Sequence, residues 1–372
     1  MRTFGVEEEL LLVDPGSGAA VPMAGQVMDL YARSDLSGIA PEAGVRAVAL
    51  THEFVQEQIE TATAVHTTLH GLAEDILAGR ARADFLARQV GARAIALGTA
   101  PLPAELHTVR LPRFEAIRNQ LGLTAVQQLT CACHVHVGIR SPEEGVAVLD
   151  RIRVWLPALA ALSANSPFWD GTDTGYASFR TQLWGRWPTT GPTEIFGSAD
   201  AYRRLVRDLL ATGVLLDEGM VYFDARLSRT YPTVEIRVSD VCLNAKDAVL
   251  IAALTRALVE TAARQWRSGR PPPVMPAPLL KLAAWQASRH GIEAELLHPL
   301  DARPYPAEDV IGLLLDHTLP ALADVGDDAW AEDLLRDLLR RGNGSRQQRN
   351  AYRDTRSFTG VVAEALKHTG TG

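Results

Sequence analysis

The sequence contains little lysine and little cysteine, and both shortages exclude classes of protein. Only three lysines occur among the 37 basic residues and none follows a glycine, so the phosphate-binding loop G-x-x-x-x-G-K-S/T is absent. The dinucleotide fingerprint G-x-G-x-x-G is absent too. The three cysteines, Cys131, Cys133 and Cys242, are too few for a disulfide scaffold and favour a reducing compartment. We therefore expect a cytoplasmic protein.

Long apolar runs and a surplus of positive charge are also missing. No uninterrupted apolar stretch of about 20 residues occurs, and the first residues turn acidic at once, so we expect neither a membrane span nor a secretory signal. A formal charge of −7 repels phosphate backbones, which argues against nucleic acid or an anionic membrane as partner. With 47% hydrophobic and 22% charged residues, the 372-residue chain has the composition of a globular protein.

Helix-like and strand-like segments alternate along the chain. The apolar pattern predicts strands at about 3–13, 45–62, 93–98, 128–139, 220–227 and 233–239. It predicts helices at about 65–90, 143–163, 198–212, 245–267, 276–290, 307–318 and 327–341. The Pro-rich stretch 269–273 is the one linker-like segment. We expect one catalytic domain over 1–372, within which the helical C-terminal portion 274–372 can form a subdomain.

Five predicted strands separate into one apolar row and one polar row, because successive strand side chains point to opposite faces. The polar rows contain Glu7 and Glu9, Glu60, His134 and His136, Asp224 and Arg226, and Glu235 and Arg237. An ordinary solvated sheet also alternates, but its exposed row is usually Thr, Ser and Lys. Carboxylates and imidazoles gather where they share cations, and arginines gather where they bind phosphate or carboxylate oxygens. The rows therefore predict one sheet face that binds metal and nucleotide.

The same alternation sorts the neighbouring acids and the cysteines. Glu8 and Glu57 face away from the polar rows and are expected to be structural or exposed, and Glu53 falls on the face of Glu57 without an assigned role. A zinc site at Cys131, Cys133, His134 and His136 is the competing interpretation. Strand alternation argues against it, because thiols and imidazoles on opposite faces cannot complete one tetrahedron. If residues 131–136 formed a loop rather than a strand, the zinc interpretation would be favoured more strongly.

Five ordered segments resemble the bacterial type 2 glutamate–cysteine ligases, also called carboxylate–amine ligases. The segments are 5–14, 58–62, 134–138, 162–180 and 232–240, and the likeness runs from about residue 3 to about residue 265. The resemblance implies an α+β, glutamine-synthetase-like fold, in which a curved antiparallel sheet carries helices on its convex face. It also implies ATP and two or more Mg²⁺ or Mn²⁺ ions on the concave face.

The implied reaction is the ATP-dependent joining of a carboxylate to an amine through an acyl phosphate. The resemblance implies small-molecule substrates, with glutamate joined to cysteine or another amine, and it allows a homo-oligomer such as a dimer. Two other functions stay open at this point. One is a catalytically silent protein that binds ATP or an amino acid on the same fold, and the other is a metal-dependent hydrolase that uses the same carboxylates and histidines.

The resemblance also implies roles for individual residues. The implied metal ligands are Glu7, Glu9, Glu60, His136 and Glu235. The implied ATP-binding residues are His134, His136 and Arg237, and the catalytic arginines are Arg237, Arg226 and Arg180. The implied substrate-binding residues lie in the segment after a predicted apolar helix and are Asn165, Asp170, Tyr176 and Arg180. Arg180 is expected to bind the substrate carboxylate, because a guanidinium fork matches two carboxylate oxygens.

Overall fold

The computed structural model describes residues 1–36 and 48–370. The strands are β1 (Phe4–Val13), β2 (Ala49–His52), β3 (Gln58–Ala62), β4 (Arg93–Ile95), β5 (Ala132–Gly138), β6 (Phe168–Trp169), β7 (Thr172–Asp173), β8 (Ala225–Leu227), β9 (Thr233–Asp240), β10 (Glu295–Leu297) and β11 (Pro304–Pro306). The helices are α1 (Ala24–Leu36), α2 (Leu69–Gln89), α3 (Pro112–Leu121), α4 (Leu123–Val126), α5 (Pro142–Ile152), α6 (Leu156–Ser163), α7 (Phe179–Trp184), α8 (Ala199–Ala211), α9 (Ala245–Arg267), α10 (Ala277–His290), α11 (Ala307–Ala323), α12 (Asp328–Arg341), α13 (Gly344–Thr355) and α14 (Phe358–Thr369). A 3-10 helix covers Glu218–Met220.

One antiparallel sheet of seven strands forms the centre of the fold. Six strands follow the order β2-β3-β1-β5-β9-β8, and β4 pairs with the end of β1 on the edge that also pairs with β5. Helices α2, α5, α6 and α9 pack on one face of this sheet. The apolar row of β5, including Val135 and Val137, joins α9 in the main core, so the predicted apolar row is the helix-covered one. The observed architecture confirms the expected α+β fold with an antiparallel sheet and helices on one face.

Helix α9 covers the apolar face of the sheet. Its residues are buried on nearly all sides, because α9 lies against the sheet and also contacts α2, α5, α11 and α12. The predicted bounds 245–267 agree with the observed helix. No helix among the described residues is long and apolar enough to cross a membrane.

A buried ion pair lies on this covered face behind the polar rows. Arg80 of α2 donates to both oxygens of Glu8 at 2.9 and 2.7 Å. Its remaining hydrogens bind the carbonyl oxygens of Cys242, Leu243 and Thr369 at 2.6, 3.0 and 3.3 Å. The pair therefore joins β1, α2, the start of α9 and the end of α14. Glu8 is structural, as the alternation predicts.

Some predicted bounds are wrong for local reasons. The predicted helix 143–163 is two helices, α5 and α6, and a proline in the first turn of α6 marks the second start. The predicted strand 45–62 is interrupted at 53–57, and its first residues, 45–47, lie outside the described residues. The predicted strand 220–227 keeps only β8, because a 3-10 helix precedes it. Helices α1, α3, α4, α7, α13 and α14 were not predicted.

Candidate active site

Members of all five polar rows meet on the open face of the sheet, although Asp224 lines a different cavity. The strand register places Glu9 opposite Glu60 and Glu7 opposite His134. Further along the sheet, Glu235 lies between His136 on β5 and Arg226 on β8. All of these side chains line one cavity of about 460 Å³, which we call the metal-ligand cavity. Side chains from five separate strands are therefore neighbours in space.

Glu7 lies between the two histidines of β5. Its carboxylate oxygens are 3.7 Å from Nδ1 of His134 and 3.4 Å from Nε2 of His136. Burial raises the pKa of Glu7, but the two neighbouring imidazoles outweigh this, so the pKa lies well below its usual range. Burial also lowers the pKa of His134, whereas Glu7 outweighs burial at His136 and raises its pKa. Glu7 is thus a carboxylate, and His134 offers a neutral nitrogen.

A second group of carboxylates lies at the β1–β3 side of the cavity. Oxygen atoms of Glu9, Glu53 and Glu60 lie within 4.8 Å of one another. Burial and the charge of Glu9 raise the pKa of Glu53 to about 8, and burial with the charge of Glu53 raises the pKa of Glu60 well above its usual value. Such acids stay protonated until a cation compensates their charge.

Glu53 is a functional candidate that sequence reasoning left unassigned. It lies in the irregular segment between β2 and β3, where strand alternation does not determine the direction of a side chain. Its burial beside Glu9 and Glu60 comes from the loop path, which no local pattern encodes. The signal available in the sequence was only its closeness to Glu60 along the chain.

The acidic and imidazole groups form three overlapping sets that fit divalent cations. The sets are Glu7, His136 and Glu235; Glu7, Glu60 and His134; and Glu9, Glu53 and Glu60. Nε2 of His134 is buried without a hydrogen-bond partner among the described residues, so its lone pair is available. Oxygen-rich sets suit Mg²⁺ and Mn²⁺, and imidazole favours Mn²⁺. No cysteine joins a set among the described residues, and Cys133 is buried in the core, so the zinc interpretation has no support.

Two arginines share the single carboxylate of Glu235. Arg226 donates to both of its oxygens at 2.8 and 3.1 Å, and Arg237 donates to one of them. Burial raises the pKa of Glu235, but the charges of Arg237 and Arg226 outweigh it and hold the pKa well below its usual range. Two guanidinium groups against one carboxylate leave net positive charge beside the metal-ligand sets. Such a pair fits phosphate oxygens.

Arg180 approaches the same cavity from α7. It is 3% exposed, its Nη2 donates to the carbonyl oxygen of Arg237 at 3.3 Å, and its Nη1 is 3.8 Å from Asp240. Nε of Arg180 and Nε of Arg237 are both buried without a hydrogen-bond partner among the described residues. Arg180 therefore keeps donor capacity for an anion.

The structure does not bring the other predicted substrate residues into the metal-ligand cavity. Asn165 is 0% exposed and its amide donates to the carbonyl oxygens of Ala96 and Val241, so core hydrogen bonds occupy it. Tyr176 packs against Trp285 outside the cavity. Asp170 lines a different cavity of about 290 Å³. Of these three residues only Asn165 is buried in the core, whereas Asp170 is exposed and Tyr176 is half-buried.

An aromatic wall lines the cavity next to the arginines. Trp184 and Trp187 stack with ring centroids 5.3 Å apart, and Tyr222 meets Trp184 edge-on at 4.9 Å. Phe54 and Phe114 pack together at 5.6 Å on the same side. Both tryptophans line the cavity, so their stacked rings form part of its wall.

Solved structures with the same architecture define the fold class. The glutamate–cysteine ligase of Francisella tularensis in complex with AMP superposes with a TM-score of 0.68 at 12% identity, covering 100% of this chain and 89% of the other. A bifunctional glutathione synthetase from Pasteurella multocida gives a TM-score of 0.66 at 15% identity, covering 99% of this chain and 52% of the other. This chain thus shares the fold of these two proteins.

Sequence comparison assigns the family within that class. A sequence model of glutamate–cysteine ligase family 2 matches residues 3–368. A Paenarthrobacter aurescens protein provisionally named glutamate–cysteine ligase 2-1 is 52% identical over 99% of this chain and 95% of its own length. A Streptomyces avermitilis protein with the same provisional name is 49% identical over 99% of both chains. The chain belongs to glutamate–cysteine ligase family 2, and it is an enzyme of the carboxylate–amine ligase class.

Proposed function

We propose that this ligase uses ATP to convert a carboxylate of glutamate, or of a similar amino acid, into an acyl phosphate and then transfers the acyl group to cysteine or another amine. The observation that supports this most directly is the juxtaposition of the three metal-ligand sets with the guanidinium groups of Arg226 and Arg237. Neither feature alone would distinguish a phosphoryl-transfer site from a structural ion-pair network.

The chemistry explains why this arrangement suits the reaction. A substrate carboxylate oxygen attacks the γ-phosphorus of ATP, the bond to the bridging oxygen breaks, and ADP leaves. The transferred group carries negative charge on its equatorial oxygens, so catalysis depends on positioning and positive charge. Bound divalent cations neutralise phosphate oxygens, and the glutamates and histidines of the three sets would hold them.

The arginines then have separate tasks. Arg237 and Arg226 are oriented by Glu235 and contact phosphate oxygens, while His134 or His136 meets ATP phosphate when it is not a metal ligand. Arg180 binds a carboxylate, because its guanidinium lines the cavity with an unused Nε–H. ATP as the phosphoryl donor is supported by the AMP complex of the Francisella tularensis enzyme.

Product analysis tests the proposal. Purified protein is incubated with ATP, Mg²⁺ or Mn²⁺, glutamate and a panel of amines, and the mixture is assayed for ADP and for new amides by mass spectrometry. Glu9→Gln should remove turnover, because the amide keeps the hydrogen bond from the Ala132 N–H at 2.8 Å but loses the charge that binds a cation. The matched control Glu308→Gln changes an exposed residue of α11 and should keep full turnover. ADP release absent with every amine and both metals would refute the proposal.

A further inference from the structure

The residues that carry Glu53 into the metal-ligand cavity do not belong to a regular strand. They are residues 53–57, which connect β2 to β3 and which we call the Glu53 loop. Glu53 lines the cavity together with Glu9 and Glu60, the other two members of its ligand set. Glu9 and Glu60 lie opposite each other on paired strands, so the sheet fixes them. The position of Glu53 depends instead on what holds the loop.

A second chain segment, residues 107–109, holds the Glu53 loop through the backbone. The N–H of Val109 donates to the carbonyl oxygen of Phe54 at 3.0 Å, and the N–H of Gln56 donates to the carbonyl oxygen of His107 at 2.7 Å. An isolated antiparallel bridge lies between these two bonds. The second segment leads into α3, which also lines the cavity, so it connects two parts of the cavity wall.

The side chain of Glu57, at the end of the Glu53 loop, binds the same second segment. Both of its oxygens accept from the backbone N–H of His107 at 3.2 Å, and Nδ1 of His107 lies 2.7 Å from one of them. Glu57 is 0% exposed, and no lysine or arginine among the described residues forms an ion pair with it. Burial raises the pKa of Glu57, and the hydrogen bonds from His107 oppose this rise. His107 therefore compensates a carboxylate that is costly to bury.

The Glu53 loop needs restraint because its acid lies beside two others. The three carboxylates repel one another when they ionise to bind a cation. The β1–β3 ladder restrains Glu9 and Glu60, so Glu53 is the member that repulsion would displace. Aromatic ring contacts restrain the loop next to Glu53, and the bond to His107 restrains its other end.

We infer that Glu57 and His107 are positioning residues of the metal-ligand cavity, and that their bond holds the Glu53 loop so that Glu53 joins Glu9 and Glu60 around one divalent cation. Neither residue belongs to the three ligand sets, so both act through the backbone of the loop. The inference rests on the cation sites of the proposed function, but its test measures cation binding without turnover.

Calorimetric titration with Mn²⁺, in the absence of ATP and amino acids, measures this role. His107→Ala removes the Nδ1 hydrogen bond and should weaken the binding of one Mn²⁺ by about 10-fold, the usual effect of losing a group that orients a metal ligand. His107→Asn keeps a side-chain N–H near the position of Nδ1 and should restore most of the affinity. His70→Ala changes an exposed histidine of α2 and is the matched control, with the affinity of the wild type.

A double-variant cycle separates positioning from a general loss of structure. Glu53→Gln removes the ligand charge and should itself weaken the binding of the same Mn²⁺. If His107 acts through Glu53, adding His107→Ala to Glu53→Gln should cause little further loss, because the two changes are then not additive. A defect spread through the fold would instead lower the affinity by the same factor in both backgrounds. Melting temperatures without metal are measured in parallel.

Each outcome decides the inference. A non-additive loss that His107→Asn reverses supports it. An unchanged affinity in His107→Ala, a loss that His107→Asn does not reverse, or equal losses in both backgrounds overturns it. A wild type that binds no Mn²⁺ refutes the cation sites, and the inference fails with them. A wild type that binds Mn²⁺ but releases no ADP refutes the proposed function alone, while the titrations still decide the positioning role.

Discussion

Replacing Arg80 by methionine tests the ion pair that supports the catalytic strand from behind. Arg80 is 1% exposed and Glu8 is 2% exposed, so Arg80→Met leaves a carboxylate without its partner in the core. Removing one member of a buried pair costs about 3–5 kcal/mol. The carbonyl oxygens of Cys242 and Leu243 lose their donor as well. We expect the free energy of unfolding to fall by about 4 kcal/mol.

The double variant Arg80→Met/Glu8→Gln separates the buried charge from the lost packing. Glutamine removes the uncompensated charge, so the double variant should recover about 2 kcal/mol of the loss. Urea unfolding is followed by tryptophan fluorescence and by circular dichroism, whose agreement establishes a two-state transition. A loss below about 1 kcal/mol for Arg80→Met, or no recovery in the double variant, would refute the reasoning.

Three further predictions concern the metal-ligand cavity. Mg²⁺ or Mn²⁺ should raise the melting temperature of the wild type. Glu60→Gln should remove most of that rise, because Glu60 belongs to two of the three ligand sets. An equal rise in the melting temperature of both proteins would argue against the cation sites. Thr233→Val removes the hydrogen bond at 3.0 Å that orients the imidazole of His136 through its Nδ1. The affinity for Mn²⁺, measured by calorimetry, should fall by about 10-fold. An unchanged affinity would show that this hydrogen bond does not matter for Mn²⁺ binding. Burial and the charge of Glu9 raise the pKa of Glu53 in the folded protein to about 8. In the absence of metal, the protonated carboxyl therefore contributes stability below its unfolded pKa, and this contribution is lost as the pH rises through 8. Unfolding experiments should show the free energy of unfolding falling from pH 5 to 9, with a smaller fall in Glu53→Gln.

The sequence was informative wherever a regular period constrained the side chains. In β1, β5 and β9 the period of two fixes which residues share a face, and the structure brings Glu7, Glu9, His134, His136 and Glu235 together as that period requires. Helix α9 was also predictable, because the mostly apolar stretch 248–259 fits a helix that is covered on nearly all sides.

Prediction failed where long-range contacts decide the structure. Glu53 reaches the carboxylate group through a loop, so alternation gave it the wrong face. Asn165 was expected to bind substrate from a loop. Gln348, which is far along the chain, instead donates to the side-chain oxygen of Asn165 at 2.7 Å, so the side chain of Asn165 is part of the core. Helix α13 is strongly polar, so an apolar period could not identify it.

The acyl phosphate is the central claim, and isotope transfer tests it most directly. The enzyme is incubated with ATP, Mn²⁺, an acceptor amine and glutamate labelled with ¹⁸O in its side-chain carboxylate, and the released phosphate is analysed by mass spectrometry. If a carboxylate oxygen attacks the γ-phosphorus and later leaves with it, each phosphate released with an amide carries one ¹⁸O from glutamate. Amide formation accompanied by unlabelled phosphate would contradict the account.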